Sequence, residues 1–156
     1  TGLCAPALRP YAAQLTGVDL SSGMLALARK TGLYDELVEA ELTSFLAAKK
    51  QTFDLVIFAD TLCYFGDLSE VIAATAGALR AGGSVVFTVE RAAGGSKAPP
   101  YRLHPHGRYS HTETYVRSVL AAAGFSAIAT EHQTLRQEIG RDVAGLVVTA
   151  VHRTAH

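Results

Sequence analysis

FDLVIFA at Phe53–Ala59 and SVVFTV at Ser84–Val89 are two short, nearly continuous apolar runs. Strands have this composition when both faces of their sheet are covered, as in parallel sheets. Two further strand-like stretches precede them, Gln14–Leu20 and Leu37–Leu42, and helical patterns separate the four. The alternation predicts an α/β fold with a Rossmann-like, mostly parallel sheet and helices on both of its faces.

The end of the chain breaks this alternation. Phe125–Leu135 and Val143–His152 are strand-like, and the short connection between them leaves no space for a helix. They are therefore predicted to be antiparallel neighbours. Arg136 and Glu138, in the connection, are predicted to form a surface ion pair of little energetic worth. The segment Arg91–Tyr109 fits neither pattern, and its glycines and prolines predict a long irregular loop.

Polar residues and glycines mark the ends of three predicted helices. A residue able to cap a helix precedes each apolar pattern, and glycine follows each. In two of the three, an acid stands three positions after the capping residue, at Glu70 and Glu113, which is the spacing of a capping box. The predicted start and stop residues are Ser21 and Gly32, Asp67 and Gly82–Gly83, and Ser110 and Gly124.

Composition limits the class of protein. The chain has 156 residues, of which 49% are hydrophobic and 18% charged, so a disordered chain is excluded and one domain over residues 1–156 is expected. Fourteen basic residues balance fourteen acidic ones, so neither nucleic acid nor a membrane surface is an expected partner. Two cysteines are too few for a disulfide framework, which favours a cytoplasmic protein. No apolar run reaches the roughly 18 residues of a membrane span.

Acidic residues follow three of the predicted strands. Ligands of open α/β sheets bind outside the carboxyl ends of the strands, so these acids are candidates for a binding site. Asp19 ends the first strand and could accept hydrogen bonds from both hydroxyls of a ribose. Gly2 lies one helix earlier, where a glycine lets backbone N–H groups approach a ligand. Glycine turn, helix, strand and acid is the order found in nucleotide-binding folds.

Each acid also has a simpler interpretation. Asp19 could only cap the next helix, and Glu41, after the second strand, could be a solvated turn residue. Alternatively, Glu41 could accept a hydrogen bond from an adenine amino group, with the Leu42 N–H nearby. Asp60 ends an apolar strand that is expected near the centre of the sheet, where an acid is less usual. Tyr64 follows it and could line a cleft or belong to the core.

Taken together, these segments resemble a known family. LTGVDLSSGML at residues 15–25, FDLVIFADTLCYFGDL at 53–68 and the tail LRQEIGRDVAG at 135–145 are similar to class I S-adenosylmethionine-dependent methyltransferases. Within that family they resemble the tetratricopeptide-associated methyltransferases of bacteria. The resemblance extends over essentially the whole chain. It implies an enzyme that transfers a methyl group from the cofactor S-adenosylmethionine to a small-molecule acceptor.

The resemblance also implies roles for particular residues. Asp19 matches the acid that binds the ribose, Glu41 the acid near the adenine, and Asp60 with Tyr64 positions near the sulfonium and the acceptor. The implied cofactor-binding residues are Thr1, Gly2, Asp19, Leu20, Met24, Glu41, Leu42 and Asp60. For Arg136 and Glu138 the resemblance suggests a place at the edge of the active site, as the alternative to a surface pair.

A general base is needed only if the acceptor arrives with a proton. His111 is the best candidate, because histidine titrates near neutral pH and this one lies where the irregular segment meets a helix; the alternative is a solvated turn residue. His104 and His106 have no third ligand at metal spacing, so no metal site is predicted. Three tyrosines could form an aromatic pocket for the acceptor: Tyr101, Tyr109 and Tyr115. For Tyr115 the alternative is a core position on the face of a helix.

One element of the family is not found. The family begins with a strand that ends in a DxGCGTG-type loop, whereas this sequence starts at Thr1–Gly2. That strand is central in the family's sheet, and its hydrogen bonds are worth as much as the net stability of a domain. We therefore expect residues upstream of Thr1, with a strand supplied by another copy as the alternative.

Two other functions share part of this pattern. A glycine turn and a strand-end acid also occur in NAD(P)-dependent oxidoreductases, although the antiparallel finish and Glu41 argue against that class. A non-catalytic binding module with a methyltransferase-like fold is the second alternative. The acceptor atom and the oligomeric state cannot be predicted from these residues.

Overall fold

The computed structural model describes residues 2–93, 98–138 and 140–153. The chain divides into two compact units, Thr1–Ala48 and Lys49–His156, and each is described by itself. No helix among the described residues is long and apolar enough to cross a membrane.

The first unit is built on two strands that pair in parallel, with Asp19 opposite Glu39 at their carboxyl ends. Its elements are α1 (Ala5–Leu8), a 3-10 turn (Arg9–Tyr11), β1 (Thr16–Asp19), α2 (Ser22–Lys30), β2 (Glu36–Glu39) and α3 (Leu42–Ala47). The start of α2 is as predicted, since Ser21 Oγ accepts a hydrogen bond from the Met24 N–H at 3.3 Å. Gly32, just after its end, has a φ of 66°, which favours glycine.

The prediction that the second strand extends to Leu42 is wrong. The strand ends at Glu39 and the helix α3 begins at Leu42. The carboxylate of Glu41 causes the change, because it accepts hydrogen bonds from the N–H groups of Thr43 and Ser44. A side chain that satisfies these otherwise unpaired donors stabilises a helix start.

The second unit is a mixed sheet with two helices. Its elements are β3 (Phe53–Phe58), a 3-10 turn (Leu62–Tyr64), α4 (Ser69–Ala78), β4 (Leu79–Arg91), β5 (Tyr101–Leu103), β6 (Tyr109–His111), α5 (Glu113–Ala122), β7 (Phe125–Glu138) and β8 (Arg141–His152). α4 packs against β4, and α5 packs against β7 and α4. Large buried side chains from all these layers form the core, among them Leu62, Ile72, Phe87, Leu120, Phe125 and Leu146.

β4 is the central strand of this sheet. Val85, Phe87 and Val89 are at most 1% exposed. β3 pairs with it in parallel, and β6 continues along the same edge with a short parallel pairing. β8 runs antiparallel along the other edge, and β7 pairs antiparallel with β8. The carboxyl ends of β3 and β4 are therefore brought side by side, which positions Asp60 close to the end of β4.

The Rossmann-like α/β fold and the final antiparallel strand pair are confirmed. The strand directions are more mixed than predicted, because β5 adds to β6 in the antiparallel sense. The prediction of an irregular segment over Arg91–Tyr109 is wrong in part, since β5 and the start of β6 lie within it. Residues 94–97 of that segment lie outside the described residues.

The predicted end of α4 at the two glycines is also wrong. The helix ends at Ala78, because the N–H groups of Gln51 and Thr52 donate to the carbonyls of Gly77 and Ala78. These bonds satisfy the last helical carbonyls from outside the helix and let the chain extend directly into β4. At the start of α4 the capping position is Leu68, while Asp67 accepts a hydrogen bond from the Ser69 N–H at 2.8 Å.

The capping residue of α5 differs from the predicted Ser110. Ser110 belongs to β6, where it pairs with the end of β4, and its hydroxyl lies 2.8 Å from His104 Nε2. Thr112 caps the helix instead, since its Oγ1 accepts a hydrogen bond from the Tyr115 N–H at 3.3 Å. Strand pairing therefore takes Ser110 out of the helix and moves the cap two residues along the chain.

We expect Thr112→Ala to lower the free energy of unfolding by about 0.5–2 kcal/mol, the usual value of a helix cap. Thr112→Ser keeps the capping hydroxyl and serves as the control. Urea unfolding of the two variants measures the difference. Equal losses in both would show that the methyl group of Thr112, and not its cap, stabilises this end of the helix.

Candidate functional site

The first unit has a small pocket of about 60 Å³ between β1 and α2. Gly2, Asp19 and Met24, three of the predicted cofactor-binding residues, lie in its wall. The full set of lining residues is Gly2, Gly17, Val18, Asp19, Met24, Leu25, Ala28, Tyr34 and Leu37. Thr1, also predicted here, lies outside the described residues.

The pocket depends on a glycine that the sequence analysis missed. A Cβ on Gly17 would lie 2.8 Å from Leu37 Cδ2 and 2.9 Å from Tyr34 Cε1, so a side chain here would displace two residues of the pocket wall. A glycine within a strand is a recognised sign of close approach by another group, and this was the signal available in the sequence. Gly2 has a φ of 81°, a backbone conformation that favours glycine.

Asp19 combines the two interpretations that its sequence position allowed. Its Oδ1 accepts a hydrogen bond from the Ser21 N–H at 2.8 Å, which fixes the carboxylate at the entrance to α2. Its Oδ2 accepts none from the described residues. The side chain is half-buried in the wall of the pocket, so one oriented oxygen remains able to accept a hydrogen bond from a ligand.

Glu41 is fully engaged with the backbone. Its two oxygens accept hydrogen bonds from the Ser44 N–H at 2.7 Å and the Thr43 N–H at 2.8 Å. These bonds lower the pKa of Glu41 to about 2, so it is ionised at neutral pH. The N–H of Leu42, the first helical residue, has no acceptor within its own helix. Leu20 is 69% exposed and Met24 is 43% exposed, so both offer apolar surface.

In the second unit, Asp60 lies after β3 in an unusual backbone conformation. Its φ is 54°, in a region that few non-glycine residues adopt. Its N–H donates to Thr88 Oγ1 of the neighbouring β4 at 3.0 Å, which holds the turn in place. The side chain of Asp60 is 49% exposed.

One arginine joins this acid to two others. Arg136 donates from Nη1 to Asp60 Oδ1 and from Nε to Glu138 Oε1, both at 3.0 Å, and from Nη2 to Glu90 Oε1. Arg108 donates to the same oxygen of Glu138. Arg136 and Glu138 do form the predicted ion pair, but the prediction of an isolated surface pair is wrong. The pair belongs to a partly buried network of five charged groups, which we call the Arg136 cluster.

Tyr64 is the exposed residue beside this cluster. It lies in the 3-10 turn after Asp60, is 60% exposed, and has the Cζ of Arg108 5.9 Å from the centre of its ring. The neighbouring Cys63 is buried, and burial raises the pKa of its thiol to about 11. Tyr64 is therefore accessible to a ligand, whereas burial favours the protonated form of the Cys63 thiol.

His111 is completely buried, so the alternative of a solvated turn residue is wrong. Its Nε2 lies 2.9 Å from the Gly66 carbonyl oxygen, and because a carbonyl only accepts, this nitrogen carries the hydrogen. Its Nδ1 has no partner among the described residues. Burial lowers the pKa of His111, which favours the neutral ring. A role as general base stays a prediction and requires that the acceptor reach Nδ1.

Two of the three tyrosines of the predicted aromatic pocket contact this histidine, since the rings of Tyr101 and Tyr115 each lie 6.1 Å from that of His111. The ring of Tyr101 lies 6.0 Å from that of Tyr109 and 5.6 Å from that of Tyr115. The Tyr115 hydroxyl accepts the Leu68 N–H and donates to an oxygen of Asp67. Tyr115 thus supports the start of α4, and the rings form a packed cluster. No group of three metal-binding side chains is found among the described residues.

Comparison with known proteins identifies one family for this chain. The family described as "Methyltransferase domain" matches residues 1–87. Among curated proteins, none matches the chain.

Three solved structures illustrate the likeness of the fold. The [4+2]-cyclase SpnF has a TM-score of 0.78 and 20% identity, over 99% of this chain and 72% of its own. The 1,6-didemethyltoxoflavin-N1-methyltransferase of Burkholderia thailandensis has a TM-score of 0.74 and 19% identity, over 98% of this chain and 67% of its own. It was crystallised with 1,6-didemethyltoxoflavin and S-adenosylhomocysteine. A "possible exported protein" of Bordetella parapertussis has a TM-score of 0.69 and 18% identity, over 90% of this chain but only 54% of its own length.

The buried histidine predicts a pH-dependent stability. Because the folded state lowers the pKa of His111, the unfolded chain binds more protons, and the free energy of unfolding falls as the pH drops through about 6.5. His111→Gln keeps a donor for the Gly66 carbonyl but cannot titrate. We expect it to cost about 1–3 kcal/mol at pH 7 and to flatten the dependence between pH 8 and pH 5.

Urea unfolding at several pH values measures this effect. His106→Gln, at a histidine whose side chain is 44% exposed, is the control and should keep the slope of the wild type. A His111→Gln curve parallel to the wild type would show that another group causes the loss of stability in acid.

Proposed function

The chain belongs to the methyltransferase domain family, and on this basis we propose that it transfers a methyl group from S-adenosylmethionine to a small-molecule acceptor. The predicted methyltransferase family is confirmed, whereas the tetratricopeptide-associated subgroup stays a prediction. The methyltransferase activity and the S-adenosylmethionine cofactor are what membership of this family implies for the chain. The observation that carries the proposal is the family match over residues 1–87, which include the pocket of the first unit. The small-molecule acceptor is supported by the Burkholderia enzyme, whose substrate is of that class.

The pocket of the first unit fits part of a nucleoside. It is far smaller than the ~300–1,000 Å³ of a complete ligand site, so it would hold one portion of the cofactor. The oriented carboxylate of Asp19 suits the ribose hydroxyls. Leu20, the next residue, is exposed and offers an apolar surface beside it. Gly17 lets the side chains of Tyr34 and Leu37 pack closely against β1, where they form part of the wall. Met24 is 43% exposed and offers an apolar surface beside them.

We assign the adenine to the start of α3. Glu41 is held ionised and fixed by two backbone N–H groups, and each of its oxygens retains a lone pair for an amino group. The free N–H of Leu42 can donate to a ring nitrogen. The two residues together present one acceptor and one donor, which is the pairing that an adenine edge requires.

When bound, S-adenosylmethionine would supply a methyl group on a positively charged sulfur. The acceptor's lone pair forms a bond to the methyl carbon while the bond between that carbon and the sulfur breaks, which leaves the sulfur as a neutral thioether. The chain has to align the reactants and exclude water, and positioning of this kind supplies roughly 7–11 kcal/mol. For Asp60 and Tyr64 we keep the role near the sulfonium and the acceptor that the family resemblance implies, and both side chains are accessible after β3. His111 would take a proton from the acceptor where one has to leave.

The alternatives now differ in weight. The family match argues against an NAD(P)-dependent oxidoreductase. An enzyme of another reaction class is supported by one observation, since SpnF has this fold and is described as a [4+2]-cyclase. The non-catalytic module is the remaining alternative. Fold alone does not fix the reaction, so ligand binding has to decide.

A thermal-shift comparison tests the cofactor. A ligand at 100 times its Kd stabilises the folded state by about 2.7 kcal/mol. We expect S-adenosylhomocysteine to raise the melting temperature of the protein and NAD to leave it unchanged. A shift with NAD alone would support the oxidoreductase, and a shift with neither would support the non-catalytic module.

Asp19→Ala tests the site. One hydrogen bond to a charged group is worth roughly 1.5–3 kcal/mol, so we expect the Kd of S-adenosylhomocysteine to rise at least about tenfold, as measured by calorimetry. Glu39→Gln is the matched control, because Glu39 is exposed, ends the neighbouring strand opposite Asp19, and does not line the pocket. Equal affinity in the wild type and Asp19→Ala would remove Asp19 from the site.

A further inference from the structure

The aromatic ring of Tyr34 lies between two glycines of the first unit. A Cβ on Gly17 would lie 2.9 Å from Cε1 of this ring, and a Cβ on Gly2 would lie 3.3 Å from its Cε2. These two carbons flank the ring carbon that carries the hydroxyl. The hydroxyl end of the ring is therefore inserted between the two backbone segments, and the absence of a side chain at both positions lets it fit.

The position of the ring assigns its hydroxyl to the small pocket of this unit. Tyr34 lines that pocket, and it also lines a larger hollow of about 360 Å³ that includes Arg29 and Glu36. Gly2 and Gly17 line the pocket and not the hollow. Because the hydroxyl end of the ring lies against these two glycines, the hydroxyl is on the side of the pocket.

This hydroxyl is not used by the protein itself. Tyr34 is partly buried, and its hydroxyl has no hydrogen-bond partner among the described residues, although tyrosine hydroxyls in such places usually find one. Burial raises the pKa of Tyr34, so the hydroxyl keeps its proton at neutral pH and can act as a donor. Apart from Asp19, the other side chains that line the pocket are apolar.

The carboxylate of Asp19 lies on the same face of β1 as this ring. Gly17 and Asp19 are two residues apart, and positions two apart on a strand project from one face at a spacing of about 7 Å. The ring of Tyr34 occupies the place into which a side chain of Gly17 would project. Since Oδ1 of Asp19 is taken by the Ser21 N–H and Oδ2 is not, one free acceptor and one free donor border the same small space.

A sugar hydroxyl can use both groups at once, because its hydrogen is donated to one partner while its oxygen accepts from another. We propose that Tyr34 is a ligand-binding residue of this pocket, and that its hydroxyl donates to the ribose hydroxyl that in turn donates to Asp19. This inference rests on the proposed function and concerns the first unit alone. It adds to the site a residue for which the sequence analysis made no prediction.

Tyr34→Phe removes only the oxygen and keeps the ring between the glycines. We expect the Kd of S-adenosylhomocysteine to rise about three- to tenfold, the scale of one neutral hydrogen bond, as measured by calorimetry. Tyr11→Phe is the matched control, because Tyr11 belongs to the same unit, is 90% exposed and does not line the pocket. It should leave the Kd unchanged.

Two analogues of the ligand separate a direct contact from a structural effect. The 2′-deoxy and 3′-deoxy forms of S-adenosylhomocysteine each lack one ribose hydroxyl. For the analogue without the contacted hydroxyl, the Kd values of the wild type and Tyr34→Phe should agree within about twofold, because no hydrogen bond to Tyr34 is left to lose. For the other analogue the loss of about three- to tenfold should persist. A general disturbance of the pocket weakens all three ligands alike.

Gly17→Ala tests the same contact through the position of the ring. Its new methyl group would lie 2.9 Å from Cε1 of Tyr34 and has to displace the ring. This variant should therefore weaken S-adenosylhomocysteine by a factor about three- to tenfold larger than it weakens the analogue without the contacted hydroxyl. It carries the test should Tyr34→Phe lose its cooperative thermal unfolding.

The results that overturn the inference can be told apart from a failure of the proposed function. If the wild type does not bind S-adenosylhomocysteine, the proposed function is wrong and the inference with it. If Asp19→Ala weakens binding and Tyr34→Phe does not, the proposed function stands and the inference alone is wrong. If Tyr34→Phe weakens S-adenosylhomocysteine and both analogues by the same factor, Tyr34 has a structural role only.

Discussion

A carboxylate at the end of the most buried strand is the constraint on which the second unit depends. The side chain of Glu90 is 7% exposed, and a charge removed from water costs several kcal/mol unless an opposite charge meets it. That charge comes from Arg136, two strands away. For the guanidinium to reach across β8, β7 carries an extra residue at Leu135 and β8 has no side chain at Gly145. The local backbone of two strands thus follows from neutralising one acid on a third.

The acids that follow the strands differ in how many of their oxygens the protein itself uses. Glu41 commits both oxygens to the first turn of α3. Asp19 commits one oxygen to the turn into α2, and Asp60 commits one to Arg136 and, more weakly, to the thiol of Cys63. Among the described residues, Asp19 and Asp60 therefore each keep one oriented oxygen. Fixing one oxygen with protein donors directs the other, so structural and binding roles of an acid are compatible.

Local signals predicted most of the fold, and they failed where a distant partner decided the outcome. The apolar runs located β3 and the core of β4, and Ser21 was identified as a cap because its acceptor and donor are three residues apart. Ser110 has an equally good local pattern, yet its pairing with Glu90 of β4 excludes it from the helix. Within the site, Gly2, Asp19 and Met24 were found and line one pocket. The reach of Arg136 was missed, because a bulge has no signature in one strand read alone.

β7 is the terminal strand of its sheet, after β8, so a long row of its backbone donors and acceptors faces outward. Exposed rows of this kind invite a strand of another molecule, and proteins blunt them with charge and with bulges. β7 has both: Glu131 and Gln133 are exposed, Ala127 adopts a φ of 48°, and the ladder is interrupted twice. The irregularity that directs an arginine inward therefore also deprives a second molecule of a straight template along this edge.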